Sequence, residues 1–191
     1  DLNCISDDFK IYDEKTNGYV LGEGSVFFVL ERLSDALNRN AKIYSIINRS
    51  IFDSNPVLPS THRFENNPLE GILQRYAPSK IDLVYGSGIA LKKLNDLEVQ
   101  AIERFYPDKL LSTCTEQFGH IPGVNTFINM AVFSLTHGTY CPKLNNTLLP
   151  VTNNLAKPRP EGKDLTGLFT GIVEGGVAGL IEMEAKHRWN G

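Results

Sequence analysis

The sequence predicts an α/β domain in which helices lie against a mixed sheet. Three observations carry that expectation. Short apolar strand-like runs alternate with helical stretches along most of the chain, the order of helices layered on a sheet. Val124 to Leu135 is nearly all apolar and too long for a strand, so it reads as a helix buried on most sides between two other layers. Near the end, Leu168 to Val173 and Val177 to Met183 flank Glu174-Gly175-Gly176, a hairpin signal.

The elements follow in order. Residues 1–17 are polar and irregular. In Tyr19 to Glu31 the run Val26 to Leu30 predicts a strand buried on both faces. The Gly22-Glu23-Gly24 before it permits a bulge or a close backbone approach. Ser34 is placed to cap a short helix over Asp35 to Asn40, and Lys42 to Ile47 reads as a strand. Residues 49–66 read as loop. Asn67, Pro68 and Glu70 form a capping box with proline at the first helical position, and Pro78 closes that helix. Ile81 to Tyr85 is the next strand, followed by Gly86-Ser87-Gly88. Asn95 and Glu98 suggest a second capping box, then Leu110-Leu111 leads a strand into a loop at Ser112. Pro122 fits a first helical turn, and His137-Gly138 is a stop signal for the apolar helix. LGEGSVFFVLE (21–31) and IVEGGVAGLIE (172–182) echo one another, a hint that two related halves meet.

Composition excludes several classes of function. The chain has 191 residues, 41% hydrophobic and 21% charged, with a formal net charge of −3, ordinary values for a globular domain. No Lys/Arg cluster points to nucleic acid, and no apolar run reaches the length of a membrane span. The opening DLNCISDD is acidic, unlike a signal peptide. Cys4, Cys114 and Cys141 are widely spaced and odd in number, giving neither a disulfide framework nor a zinc pattern; a reducing, cytoplasmic setting is the plain reading. His62, His120, His137 and His187 lack ligand spacing, so no metal and no cofactor is expected. Gly-Glu-Gly lacks the spacing and following helix of a phosphate loop. A chain that opens on Asp reads as a fragment or a processed chain.

Four stretches carry a resemblance. They are YDEKTNGYVLGEGSVFFVLERLSDALNRNAKIYSII (12–47), LNDLE (94–98), STCTEQFGH (112–120) with the apolar helix and HGTYCPKLN (137–145) after it, and the Gly175-Gly176 hairpin. Together, in this order, they resemble the C-terminal part of a β-ketoacyl-acyl carrier protein synthase. The resemblance runs from about residue 8 to residue 184. It implies a thiolase-like layered α/β fold: residues 1–40 as the end of the N-terminal half, including its last strand, and 41–191 as the C-terminal half. It also implies condensation of an acyl group with malonyl-carrier protein, using a cysteine nucleophile and two histidines.

The active-site stretches depart from the pattern. The nucleophilic cysteine of the family belongs to the half not represented here, and nothing around Cys4 looks like a nucleophile elbow. The first histidine falls on Ser87 or Gly88 within YGSGIALKKLND, neither of which exchanges a proton near neutral pH as imidazole does. Lys92 and Lys93 replace the family's Thr and Pro. The lysine of the second loop falls on Cys114, whereas His120 keeps the place of the second histidine. The last loop keeps Gly175-Gly176 but has lost the family's Phe gate and Asn, and it brings in Glu174, a like charge near a developing oxyanion if it faces inward. Each lost base or oxyanion donor costs roughly 10²–10⁴ in rate.

The expectation is a ketosynthase-like subunit of fatty acid or polyketide/polyene assembly, non-condensing by itself. Its expected partners are an acyl carrier protein and an active ketosynthase or the other half of the fold, as a dimer. The alternatives are an active synthase fragment, or an acyltransferase- or thioesterase-like variant using His120 and Cys114. Against those roles stand plainer ones: His120 as a loop histidine with a local hydrogen bond, Cys114 as a thiol packed at a strand end.

Overall fold

The computed structural model describes residues 10–16, 18–54, 66–142, 144, 163–173 and 176–186. The elements run α1 (Leu33–Asn38), β1 (Ile46–Ser54), α2 (Pro68–Tyr76), β2 (Leu83–Tyr85), α3 (Lys92–Phe105), β3 (Leu110–Ser112), α4 (Thr115–Phe118), α5 (Asn125–Leu135), β4 (Leu165–Val173) and β5 (Val177–Ala185). Five strands form one mixed sheet in the order β1-β5-β4-β2-β3. β4 and β5 are the expected hairpin, in register from Val173↔Val177 to Leu165↔Ala185. β2 lies parallel to both β4 and β3, and β1 pairs antiparallel with β5.

Side chains alternate across this sheet with period two. Val84, Leu111, Leu168, Ile172 and Leu180 pack in one core with Leu69, Ile72 and Leu73 of α2 and Leu94, Ala101 and Ile102 of α3. Leu83, Tyr85, Phe169, Ile181 and Met183 face the other way and meet Met130 and Phe133 of α5. There Tyr85 stacks on Phe169 at 5.1 Å between centroids, and Phe133 stands edge-on to Phe169 at 5.4 Å. Such pairs add about 0.5–1.5 kcal/mol beyond their buried area. The layers are therefore two helices, the sheet, then α5, the mixed α/β arrangement expected.

Local signals explain several boundaries. Asn67 caps α2 through its side-chain oxygen, which accepts from the N–H groups of Leu69 and Glu70. The Glu70 carboxylate turns instead to Arg104. α5 ends where His137 (φ 50°) and Gly138 (φ 70°) adopt left-handed conformations.

Other elements differ from the sequence reading. α3 begins at Lys92 behind Leu91, which makes no side-chain cap, so Asn95 and Glu98 are inward-facing residues of the helix rather than its cap. α1 starts two residues earlier than expected and Ser34 does not cap it. β1 begins later than the expected Lys42–Ile47 strand and runs on through Ser54, because β5 offers it a long partner. Pro122 lies in the turn ahead of α5. α5 buries Asn125, Asn129, Met130, Phe133 and Ser134 on its sheet side but leaves Phe127 and Leu135 exposed, so one flank is uncovered.

The largest departure is Val26 to Leu30. It belongs to no strand, and Phe27, Val29 and Leu30 are 92%, 93% and 71% exposed. An apolar run of this kind needs neighbours on both faces, and none of the described elements supplies a ladder. Phe28 meets Phe127 of α5 with ring centroids 6.3 Å apart, and beside that contact lies a cavity of about 690 Å³ lined by Phe27, Phe28, Leu30, Met130, Leu135 and Met183 among others.

The glycine-rich turn before that run makes a close backbone approach, as the sequence suggested. Leu21 and His120 form a parallel bridge, with His120 N–H donating to the Val20 carbonyl at 2.7 Å and Gly22 N–H to the His120 carbonyl at 3.0 Å. A Cβ on Gly22 would stand 1.8 Å from the Phe118 carbonyl oxygen. Gly22→Ala is therefore expected to destabilise the fold by about 1–3 kcal/mol, read as a lower urea midpoint; an unchanged midpoint would show that this contact is dispensable.

Candidate functional site

Four pieces of chain converge at the ends of β2 and β3: residues 10–16, the 19–24 turn, the β2–α3 loop, and the loop from Ser112 through α4 to α5. Their meeting point is held by a buried carboxylate. Glu98, 1% exposed, accepts from the Ser87 N–H (2.9 Å) and the Thr170 hydroxyl (2.8 Å) on one oxygen. Its other oxygen accepts from the Tyr12 hydroxyl (2.6 Å) and the Ser87 hydroxyl (3.1 Å). Four partners thus satisfy both oxygens of the buried side chain. Tyr12 also accepts from the Gly88 N–H at 3.1 Å. Burial first, and then Glu98, raises the Tyr12 phenol well above its ordinary range.

Ser87 and His120 meet through Asn125. The Asn125 side-chain amide lies 3.3 Å from the Ser87 carbonyl, 3.1 Å from the Thr115 hydroxyl and 3.1 Å from Nδ1 of His120. Its oxygen accepts from the Ile121 N–H at 2.7 Å. The His120 ring lies against Tyr19, with centroids 4.8 Å apart and planes tilted by 58°. Gly88 has φ +58° and no room for a side chain, since a Cβ there would lie 2.7 Å from Thr113 Cγ2. Of the two positions where the resemblance puts the first histidine, only Ser87 carries a side chain, and that side chain is bonded to Glu98.

Cys114 is buried at the start of α4. Its N–H donates to Asn129 Oδ1 at 2.8 Å, and Asn129 in turn donates to the Gly86 carbonyl at 2.9 Å. Burial, with Cys141 as a smaller contribution, pushes the Cys114 thiol up to about 12. A thiolate is the reactive form of cysteine, so this setting is an unreactive one. Cys4, His62, Glu174, Gly175 and His187 lie outside the described residues. Among the described residues no group of three or more His, Cys, Asp and Glu is placed to hold a metal, and no helix is long and apolar enough to cross a membrane.

The sequence reading found Ser87, Cys114 and His120 but not Tyr12, Thr113, Thr115, Asn125, Asn129 or Thr170. A signal existed for part of this set. Leu94, Glu98, Ala101 and Ile102 share one helical face, which places the Glu98 carboxylate inward. Asn125, Asn129 and Phe133 follow the same spacing on α5.

No family model matches the chain. It is 30% identical over 161 residues, 78% of its own length, to the oxytetracycline polyketide β-ketoacyl synthase 1 of Streptomyces rimosus. It spans 36% of that relative. The ketosynthase from module 6 of the bacillaene synthase of Bacillus subtilis 168 superposes with a TM-score of 0.77 at 20% identity, over 96% of this chain and 38% of that one. The PfaC ketosynthase–chain length factor gives 0.79 at 18% identity, over 96% of this chain and 22% of that one. The chain thus has the thiolase-like fold of ketosynthases and matches them in sequence as well. Its sequence matches include β-ketoacyl synthases, and the solved structures that share its fold include ketosynthases and a ketosynthase–chain length factor.

Two outcomes follow from this geometry. Tyr12→Phe, which removes a donor to Glu98 and an acceptor for Gly88, is expected to lower stability by about 1–3 kcal/mol in urea unfolding. Iodoacetamide at neutral pH is expected to leave Cys114 unmodified in the folded chain and to modify it after denaturation, as read by peptide mass spectrometry. Rapid labelling of Cys114 in the folded chain would restore it as a candidate nucleophile.

Proposed function

We propose that the chain is a ketosynthase-like subunit of fatty acid or polyketide/polyene assembly, that it does not condense acyl groups by itself, and that it supports an active ketosynthase. The observation that carries this reading is Ser87. At the position of the first histidine it has a hydroxyl committed to Glu98, so His120 has no second imidazole beside it among the described residues. The inert setting of Cys114 adds to this, since that residue stands where the family has a lysine.

The partner follows from the uncovered surface. Phe27, Val29 and Leu30 and the cavity beside α5 form an apolar face of a kind that folded chains cover. The chain spans 36–38% of the β-ketoacyl synthase and ketosynthase relatives described above, and the sequence echo between 21–31 and 172–182 fits a fold made of two related halves. The proposed partner is therefore polypeptide of the N-terminal thiolase-like half, in the same protein or in a dimer with an active ketosynthase. The acyl carrier protein is the proposed source of acyl groups.

A second reading is favoured by His120 itself, which is held in place by backbone bonds, Tyr19 and Asn125. On that reading the chain is part of an active synthase, or of an acyltransferase- or thioesterase-like variant, whose nucleophile lies elsewhere.

The test combines native mass spectrometry on material from the host with an assay of acyl- and malonyl-carrier protein condensation. A second polypeptide or a longer version of this chain is expected in the mass, with no condensation by the chain alone. Condensation by the 21.3 kDa chain alone would overturn the reading.

A further inference from the structure

The pairing of β2 with β3 brings Cys114 and Cys141 to one place. Tyr85 and Ser112 are partners in that ladder. The Tyr85 hydroxyl donates to the Tyr140 carbonyl and the Ser112 hydroxyl to the Pro142 carbonyl, each at 2.7 Å. Cys141 is therefore held between two anchored neighbours, beside the end of β3. It packs with Leu110 against the core that α5 covers. Side chains alternate along β3, so Leu111 joins the opposite core and Ser112 returns to the side of Leu110 and Cys141. Cys114 follows shortly after on the same stretch, and its N–H is bonded to Asn129 of α5 at 2.8 Å. It lies close enough to Cys141 for that thiol to push its own up. Both are free thiols, Cys114 buried and Cys141 half-buried.

We propose that Cys114 and Cys141 are a redox pair, which closes to a disulfide under hydrogen peroxide and fastens the loop leading to His120 onto the chain that follows α5. Residues 139–142 belong to no helix or strand, so this segment is the one that adjusts to the roughly 4 Å between Cβ atoms that the bond requires. The half-buried Cys141 meets the oxidant first. Its thiol is oxidised to a sulfenic acid, and the peroxide is reduced to water. The Cys114 sulfur then attacks the Cys141 sulfur. The S–S bond forms, the S–O bond breaks, and the hydroxyl leaves with the Cys114 proton as a second water. Burial keeps Cys114 protonated, which makes this second step the slow one. A free alkylating reagent finds Cys114 unreactive for the same reason, whereas a sulfenic acid on Cys141 is presented to it within the protein. This inference goes beyond the proposed function and holds whether or not the chain condenses acyl groups.

The test uses the full chain with any polypeptide that copurifies with it. The sample is exposed to hydrogen peroxide at neutral pH, blocked with N-ethylmaleimide in denaturant and digested without reductant. Peptide mass spectrometry is expected to show the Cys114 and Cys141 peptides joined and two hydrogens lighter than their sum. Dithiothreitol is expected to separate them again. In Cys141→Ser, Cys114 is expected to stay reduced under the same treatment. In Cys114→Ser, Cys141 is expected to accumulate as a sulfenic acid that dimedone traps. The proposal is overturned if peroxide leaves both thiols reduced, or carries Cys141 to sulfinic or sulfonic acid beside a reduced Cys114. A bond from either thiol to Cys4 or to another chain in place of the pair overturns it as well. Should Cys114→Ser fail to fold, the wild type and Cys141→Ser decide.

Discussion

The Glu98 carboxylate is the interaction on which the site depends. A buried polar group costs free energy unless its hydrogen-bonding capacity is met, and here four hydrogen bonds meet it. Those donors come from separate parts of the chain: Tyr12 before the glycine-rich turn, Ser87 after β2, and Thr170 in the middle of β4. One buried acidic side chain on α3 therefore ties the start of the described chain, the β2–α3 loop and the central hairpin into one arrangement. Removing any partner leaves a buried polar atom unsatisfied, so the network acts as a unit.

Around that anchor, the sheet does the sorting. Alternation along β2 and β4 sends Val84, Leu168 and Thr170 toward α3, and Tyr85 and Phe169 toward α5. Thr170 lies on the α3 side, which is why a hydroxyl there finds Glu98. The ends of the parallel strands β2 and β3 then deliver Ser87 and Thr113 to the same place, and α5 crosses beneath them with Asn125 and Asn129. The polar cluster of the site is thus the rim of two apolar cores, where hydrogen-bonding groups can be satisfied by one another.

The same layering leaves one job undone. Leu135 of α5 and the run from Phe27 to Leu30 line one cavity, beside which Phe28 meets the half-exposed Phe127 with ring centroids 6.3 Å apart. The run has the composition of a central strand, yet it has no ladder among the described residues. The run and the helix flank are thus two apolar surfaces left open beside one cavity. The bridge between Leu21 and His120 joins the chain leading into this run to the loop that carries His120.

Much of this was written into the sequence in local form. The Asn67-Pro68 cap, the His137-Gly138 stop and the Gly-Gly hairpin are short-range signals, and their chemistry acts over a few residues. The apolar helix and the close approach at Gly22 were legible for the same reason. What only the tertiary structure decided is where inward-facing polar groups find partners. Asn95 and Glu98 look like a helix cap in a linear reading, because a cap and a buried carboxylate use the same residue types. Choosing between them requires knowing that Tyr12, Ser87 and Thr170, 86, 11 and 72 residues away, arrive at one carboxylate. Likewise the sequence could place His120 before a buried helix, but not the Asn125 amide that lies 3.1 Å from its Nδ1. Nor could it tell that the run after Gly24, a buried strand by composition, stands uncovered: burial is a property of neighbours, and a strand's composition states only what neighbours it needs.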